Sequence, residues 1–194
     1  MYEIRQHKSK VVVVLHEIYG INDHIKIYAK RFSEFGFDVV CPNLLKNKYV
    51  FSYEEERQAY ENFMYLGFEE ATRKVTSLIK QLLFEYKEVY IVGFSVGATI
   101  AWLCSEIEGI RHIIGYYGSR LRDYLDIEPK CPVTLFYGSS EKSFDVQTLI
   151  ESLNNKHIES YVYEGEHGFA DASSNKYNAL ANDKALQKIQ QIML

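Results

Sequence analysis

Short apolar segments alternate along the chain with longer segments whose apolar residues recur at helical spacing. The short segments predict buried strands, because they are continuous and rich in β-branched residues; they cover residues 11–15, 37–41, 88–94, 112–117, 133–137 and 160–163. The longer segments predict helices, which cover residues 22–36, 52–67, 75–83, 97–107, 146–155 and 177–194. This alternation predicts an α/β fold in one domain over residues 1–194, with a mostly parallel sheet and helices on both of its faces.

The composition is that of an ordinary folded domain, with 47% apolar and 25% charged residues. A net charge of -4 without a basic cluster gives no reason to expect nucleic acid or an anionic membrane as a partner. The apolar runs are shorter than the roughly 20 residues of a membrane helix, and no export signal is visible before residue 11. The three cysteines form no CxxC pair. We therefore expect a cytoplasmic protein that acts on a small molecule.

The segment Gly93-Phe94-Ser95-Val96-Gly97 matches the pattern G-x-S-x-G. In that pattern a serine occupies a tight turn between a strand and a helix, and its hydroxyl projects above the edge of the sheet. The segment lies between an apolar strand and an apolar helix, which is the setting that the pattern requires. Ser95 is therefore the candidate nucleophile. The alternative is a turn of small residues that serves packing alone.

A serine hydroxyl needs a histidine to accept its proton, and on this kind of fold the histidine follows both the serine and an acid in the chain. Three histidines follow Ser95: His112, His157 and His167. His112 opens a predicted strand, and His157 lies near the junction of a helix and a strand. His167 lies in a glycine-flanked loop just after the last predicted strand, and we expect it to be the base.

The acid that orients the histidine is expected in the loop after the strand 133–137. Two carboxylates compete in that loop, Glu141 and Asp145. Glu141 follows the strand-ending Gly138 by three residues, which favours it as the acid. Asp145 stands where the following helix needs an N-cap, and capping is its alternative role.

An oxyanion hole requires backbone N–H groups from the residue after the nucleophile and from the loop after the first strand. These requirements indicate Val96 and Ile18. We expect no metal and no cofactor, because the neighbouring pairs His16-Glu17 and Asp23-His24 lack the spacing of a known metal motif.

Four segments together resemble the dienelactone hydrolase family of α/β-hydrolases. They are VVVVLHEIYGIN from residue 11, GFSVG from residue 93, IIGYYG from residue 113 and YEGEHGFAD from residue 163. The resemblance implies hydrolysis of a small ester or lactone, with Ser95 as nucleophile, Glu141 as acid and His167 as base. It also implies that Glu17 lies beside the nucleophile and that Ile18 and Val96 form the oxyanion hole.

Three positions depart from the family pattern. The founding members resemble cysteine enzymes, whereas position 95 is serine, so Glu17 is expected to contact substrate or to support the site. The acid is Glu141 where aspartate is usual. An arginine that holds the lactone carboxylate has no counterpart in residues 168–175, where Asp171 stands instead. The missing arginine argues against dienelactone itself as the substrate.

The connection 118–132 is too short for a separate cap domain, which predicts a compact, open cleft. Arg120 and Arg122 are candidates to bind a substrate carboxylate, with a solvated surface as the alternative. Five tyrosines are candidate wall residues, since tyrosine offers an apolar face and a polar tip; they are Tyr19, Tyr49, Tyr53, Tyr116 and Tyr117.

The sequence therefore predicts a carboxylic ester hydrolase that works through an acyl-enzyme on Ser95. Two other functions remain open. One is an acyltransferase that uses the same nucleophile and an acceptor other than water. The other is a catalytically silent domain of the same fold that binds a small ligand or a partner protein, since order along the chain does not establish geometry.

Overall fold

A computed structural model describes residues 1–153, 156 and 158–194, and in these residues seven strands form one sheet. The strands are β1 (Tyr2–Ile4), β2 (Lys10–Leu15), β3 (Asp38–Cys41), β4 (Glu88–Phe94), β5 (Ile110–Tyr116), β6 (Val133–Ser140) and β7 (Glu159–Glu166). Their order across the sheet is β1-β3-β2-β4-β5-β6-β7. Only β1 pairs antiparallel, with β3, and the other neighbours run parallel. The predicted α/β fold with a mostly parallel sheet is confirmed.

Helices follow the strands in alternation. They are α1 (Asp23–Glu34), α2 (Glu56–Glu85), α3 (Val96–Leu103), α4 (Val146–Leu153) and α5 (Ala179–Met193). The break predicted after residue 67 is present inside α2, where Gly67 takes non-helical dihedral angles of φ 80° and ψ 163°. The side chain of Asn22 caps α1 by accepting a hydrogen bond from the Ile25 N–H.

Two apolar layers cover the two faces of the sheet. In β2, Val11, Val13 and Leu15 belong to the apolar layer that also contains residues of α2, α3 and α4, whereas Val12 and Val14 belong to the layer that contains residues of α1 and α5. Because successive strand residues point to opposite faces, an uninterrupted run of valines fits a strand that is buried on both sides. The continuous apolar pattern of the predicted central strands is explained by this burial.

The structure differs from the predicted elements in several places, among them residues 68–74, which lie between two predicted helices and belong to α2. Strand β1 was not predicted, because three residues are too few to show an alternating pattern. The last strand is longer than the predicted 160–163, since its exposed edge carries polar residues that hide its ends in sequence. The end of the predicted helix 146–155 and His157 lie outside the described residues. No helix in the described part of the chain is long and apolar enough to cross a membrane.

Candidate active site

Ser95 occupies the tight turn between β4 and α3. Its φ of 52° lies in the left-handed region, which is strained for a residue with a side chain and is often found at functional sites. A Cβ atom on Gly93 would lie 2.3 Å from the Gly97 carbonyl oxygen, and one on Gly97 would lie 2.3 Å from the Leu15 oxygen. The two glycines of G-x-S-x-G are therefore required by the close approach of backbone segments on both sides of the turn.

Ser95, His167 and Glu141 form a hydrogen-bonded trio at the carboxyl ends of three parallel strands. The Nε2 atom of His167 lies 2.9 Å from Ser95 Oγ, and its Nδ1 atom lies 2.9 Å from Glu141 Oε2. The side chain of His167 is 32% exposed and that of Glu141 only 1%. Each ring nitrogen therefore has one partner, and the carboxylate lies on the side of the ring away from the serine.

Asp145, the alternative acid, has a different position. Its Oδ1 atom accepts a hydrogen bond of 2.7 Å from the Thr148 N–H at the start of α4, and the residue is exposed. That hydrogen bond holds the pKa of Asp145 below its usual range. His112 is also separate from the trio, because its ring contacts the Thr134 hydroxyl at 2.9 Å.

The trio opens into a cleft of about 410 Å³. Ile18 and Val96 both line this cleft. No described residue accepts a backbone hydrogen bond from the Ile18 N–H, and Val96 is the first residue of α3, where an N–H has no acceptor within the helix. Both amides are therefore available to a ligand oxygen in the cleft.

Glu17, His24 and Asp171 form a second group of polar side chains, the buried cluster. One ligand-type atom of each lies within 4.8 Å of those of the other two, and all three residues are buried. Burial raises the pKa of Glu17 to about 7 and lowers the pKa of His24 to about 4. Glu17 and Asp171 line the cleft, so the cluster adjoins the trio.

Asp171 is already bound by the protein itself. Its Oδ2 atom accepts a hydrogen bond of 2.5 Å from the Tyr53 hydroxyl, and its Oδ1 atom accepts one of 2.9 Å from the Ser173 N–H. His24 Nδ1 lies 3.7 Å from Asp171 Oδ1. The neighbouring His16 contacts the Glu17 carbonyl through Nδ1 and accepts from the Leu44 N–H through Nε2, so it ties two loops together.

The candidate wall tyrosines divide into three groups. Tyr19 and Tyr53 line the cleft, and their rings meet edge to face at 5.0 Å. Tyr49 is half exposed and bonds Glu55. Tyr116 and Tyr117 are fully buried. The expectation that Tyr117 contacts substrate is corrected, because its ring lies in the core with its centroid 4.8 Å from that of His167.

Arg120 and Arg122 reach the mouth of the cleft. Arg120 donates hydrogen bonds to Asp123 and to the Tyr60 hydroxyl, both at 3.1 Å. Arg122 donates to the Ser119 carbonyl oxygen and lies 3.9 Å from Asp123. Both guanidinium groups are therefore partly occupied by partners within the protein.

Sequence reasoning missed several residues that line the cleft, among them Glu56, Phe68 and Lys176. Glu56 and Phe68 belong to α2, and no local pattern indicates that this helix reaches the cleft. The Tyr53–Asp171 hydrogen bond joins residues 118 positions apart, which a single sequence cannot reveal. The one available signal was the Ser52/Glu55 capping box, which marks where the chain enters α2.

The parallel sheet, the strand-turn-helix around Ser95 and the cleft at the carboxyl ends of the strands define the class as that of the α/β-hydrolases. The sequence profile of the dienelactone hydrolase family matches residues 1–194. The chain therefore belongs to this family of ester and lactone hydrolases, as the four sequence segments implied.

Individual relatives are similar to this chain over most of its length. The Bacillus subtilis protein YczH is 39% identical over 184 residues, which cover 92% of this chain and 90% of that protein. The carboxymethylenebutenolidase of Pseudomonas putida is 26% identical over 92% of this chain and 84% of its own length. A crystal structure of a candidate dienelactone hydrolase from Klebsiella pneumoniae superposes with a TM-score of 0.80 at 19% identity, covering 97% of this chain and 88% of that one. At that identity the likeness shows the fold.

Proposed function

We propose that the protein is a serine hydrolase that cleaves a small carboxylic ester or lactone through an acyl-enzyme on Ser95. The observation that supports this most directly is the pair of 2.9 Å contacts from His167, one to Ser95 Oγ and one to Glu141 Oε2. A nucleophile bonded to a base, which is in turn bonded to an orienting acid, is the arrangement that activates a serine.

In the proposed reaction, His167 Nε2 takes the proton of Ser95 as Oγ attacks the carbonyl carbon of the substrate. Glu141 stabilises the imidazolium that forms, and the Ile18 and Val96 amides bind the oxyanion. His167 then protonates the leaving alcohol, which departs and leaves the acyl-enzyme. Water, deprotonated by the same nitrogen, attacks the acyl carbon and releases the acid.

The substrate is proposed to be small. The cleft volume of about 410 Å³ lies at the lower end of the range of roughly 300 to 1,000 Å³ for small-molecule sites. Family membership and the carboxymethylenebutenolidase relatives support an ester or a lactone. Tyr19, Glu17 and Arg120 are the proposed contacts, because they line the cleft around Ser95.

Mass spectrometry of the intact protein after treatment with a small fluorophosphonate tests this function, with hydrolysis of p-nitrophenyl acetate measured in parallel. We expect one adduct on Ser95 and ester turnover, both lost in Ser95→Ala. Ser140→Ala is the matched control, because Ser140 lines the same cleft outside the trio. It should retain both signals.

Two results would redirect the proposal. An adduct on Ser95 without turnover of simple esters would favour an acyltransferase, to be tested by adding alcohol or amine acceptors. Folded protein with neither adduct nor turnover would contradict the hydrolase and favour a ligand-binding domain.

A further inference from the structure

The Glu17 carboxylate is buried, and the Tyr117 hydroxyl is the one side-chain donor that favours its charged form. Glu17 is only 6% exposed and lines the cleft. In the described residues no hydrogen bond of 3.5 Å or less is donated to its side chain, and the buried Tyr117 hydroxyl bonds nothing at that distance. A buried carboxylate normally accepts hydrogen bonds, and leaving it unpartnered is costly. Glu17 thus presents unused acceptor capacity to whatever occupies the cleft.

Asp171 adds a second carboxylate at the same place. It accepts from Tyr53 and Ser173, which fix its position, and each carboxylate oxygen has a further lone pair. Glu17 and Asp171 therefore offer convergent acceptors on one wall of the cleft.

The two carboxylates of the buried cluster lie close enough together to accept hydrogen bonds from one ammonium group. Their oxygens lie within 4.8 Å of each other, and one nitrogen at the charged hydrogen-bond distance of about 2.7 to 2.9 Å can reach two oxygens at that separation.

The cations that line the cleft do not satisfy Glu17. Lys142 pairs with Glu166 at 3.4 Å, and Arg120 pairs with Asp123 at 3.1 Å. Lys176 is exposed at the rim and, in the described part of the chain, forms no ion pair with Glu17 within 4.0 Å. The positive groups therefore lie at the mouth of the cleft, and the buried wall is acidic.

We propose that Glu17 and Asp171 form a subsite for a positively charged, hydrogen-bond-donating group of the substrate, so that the preferred ester carries a protonated amine. The inference that this charged group belongs to a substrate rests on the proposed function. Binding at the subsite can be tested without turnover.

Binding of three matched probes tests the subsite: n-butylammonium, n-butanol and butyrate, titrated by ligand-observed NMR above the pKa of Glu17. We expect butylammonium to bind at least about tenfold more tightly than the neutral and anionic probes. Glu17→Gln should abolish the preference. Glu56→Gln is the matched control, since it removes an exposed carboxylate from the same cleft, and it should keep the preference.

Turnover of three thioesters then tests the substrate class. The thioacetates of 2-(dimethylamino)ethanethiol, 3-methylbutanethiol and 3-mercaptopropionate carry a cationic, a neutral and an anionic group of similar size, and thiol release reports each. We expect kcat/KM to favour the cationic ester by about tenfold or more over the neutral one, and Glu17→Gln to remove that ratio.

The outcomes separate the two proposals. If Ser95 is labelled and the neutral thioester is cleaved without a preference for charge, and butylammonium binds no better than butanol, the subsite is wrong and the hydrolase stands. If butylammonium binds through Glu17 while Ser95 is inert, the subsite stands as a ligand site and the hydrolase is wrong. A preference that survives Glu17→Gln, or that Glu56→Gln removes, also overturns the subsite.

Discussion

The hydrogen-bonded trio and the buried cluster use similar side chains in the same cleft, yet they differ in connection and exposure. In the trio, both ring nitrogens of His167 have partners at 2.9 Å, and the ring is one-third exposed. In the cluster, Nε2 of His24 is buried without a partner in the described residues, and Nδ1 lies 3.7 Å from Asp171. A histidine beside an acid therefore does not by itself make a proton-transfer site.

Packing explains the difference between the two histidines. The His24 ring meets Tyr28 and Phe94 edge to face at 5.1 Å and 4.6 Å, so it forms part of the aromatic core. Burial lowers its pKa to about 4 and keeps it neutral at neutral pH. His167 follows β7 in a turn with Gly168 at φ 92°, which leaves its ring at the cleft surface. Of these two histidines, His167 alone contacts a serine hydroxyl and is open to solvent.

The largest expected effect is a loss of kcat when His167 is replaced by asparagine. The same replacement of His24 is the comparison. His167→Asn should lower kcat for p-nitrophenyl acetate by about 10³-fold or more, because the base is lost, with little change in melting temperature. His24→Asn should lower the free energy of unfolding by about 1 to 3 kcal/mol, because it leaves a cavity in the aromatic core. Its kcat should stay within about threefold of the wild-type value.

Steady-state kinetics and urea unfolding of both variants check this contrast. Equal losses of kcat in the two variants would mean that the trio and the cluster act as one unit, and the distinction between them would be wrong.

The next effect distinguishes the two candidate acids. Glu141→Gln should lower kcat by about 10² to 10⁴-fold, since an amide cannot stabilise the imidazolium of His167. Asp145→Asn should leave kcat unchanged, because asparagine also caps a helix. Fluorophosphonate labelling rates, which report Ser95 activation, should follow the same order. A larger loss in Asp145→Asn would assign the acid to Asp145 and require the loop 138–145 to rearrange.

A third prediction concerns the tight turn that carries Ser95. The buried cluster contains no such turn. Gly97→Ala should lower the free energy of unfolding by about 3 kcal/mol or more, because its Cβ would meet the backbone oxygen of Leu15 at 2.3 Å. Gly36→Ala is the control, since its Cβ meets nothing within 4 Å and only its φ of 91° is strained. Its cost should be about 1 to 2 kcal/mol by urea unfolding. Equal costs would remove the argument that close packing requires the glycine.

The trio could be predicted from sequence because each member follows a strand in a recognisable local setting. Ser95 lies in G-x-S-x-G, and Glu141 and His167 follow strands whose carboxyl ends meet at one edge of a parallel sheet. The order of these segments along the chain therefore indicates that the three residues lie close together in space.

The cluster could not be predicted in the same way. His24 lies inside α1 and Asp171 lies in a loop near the other end of the chain, and no local pattern indicates that the two meet. Tyr117 shows a related limit of prediction from a single sequence. Its position after β5 suggested the cleft, but a single sequence does not show on which side of the backbone a strand-end tyrosine is packed.

The smallest predicted effect tests the ionisation of Glu17 through stability. Burial raises its pKa to about 7 from 4.5, so between these two values the folded state binds a proton that the unfolded state does not. The free energy of unfolding contributed by Glu17 is therefore lost as pH rises through this window. Glutamine cannot ionise, so Glu17→Gln should gain stability relative to the wild type from pH 5 to pH 8, by no more than about 3 kcal/mol.

Urea unfolding at both pH values measures the difference, with Glu56→Gln as the exposed control. A difference that does not change with pH would mean that Glu17 is ionised in the folded protein throughout, and the contrast between a partnered trio and an unpartnered cluster would lose its electrostatic basis.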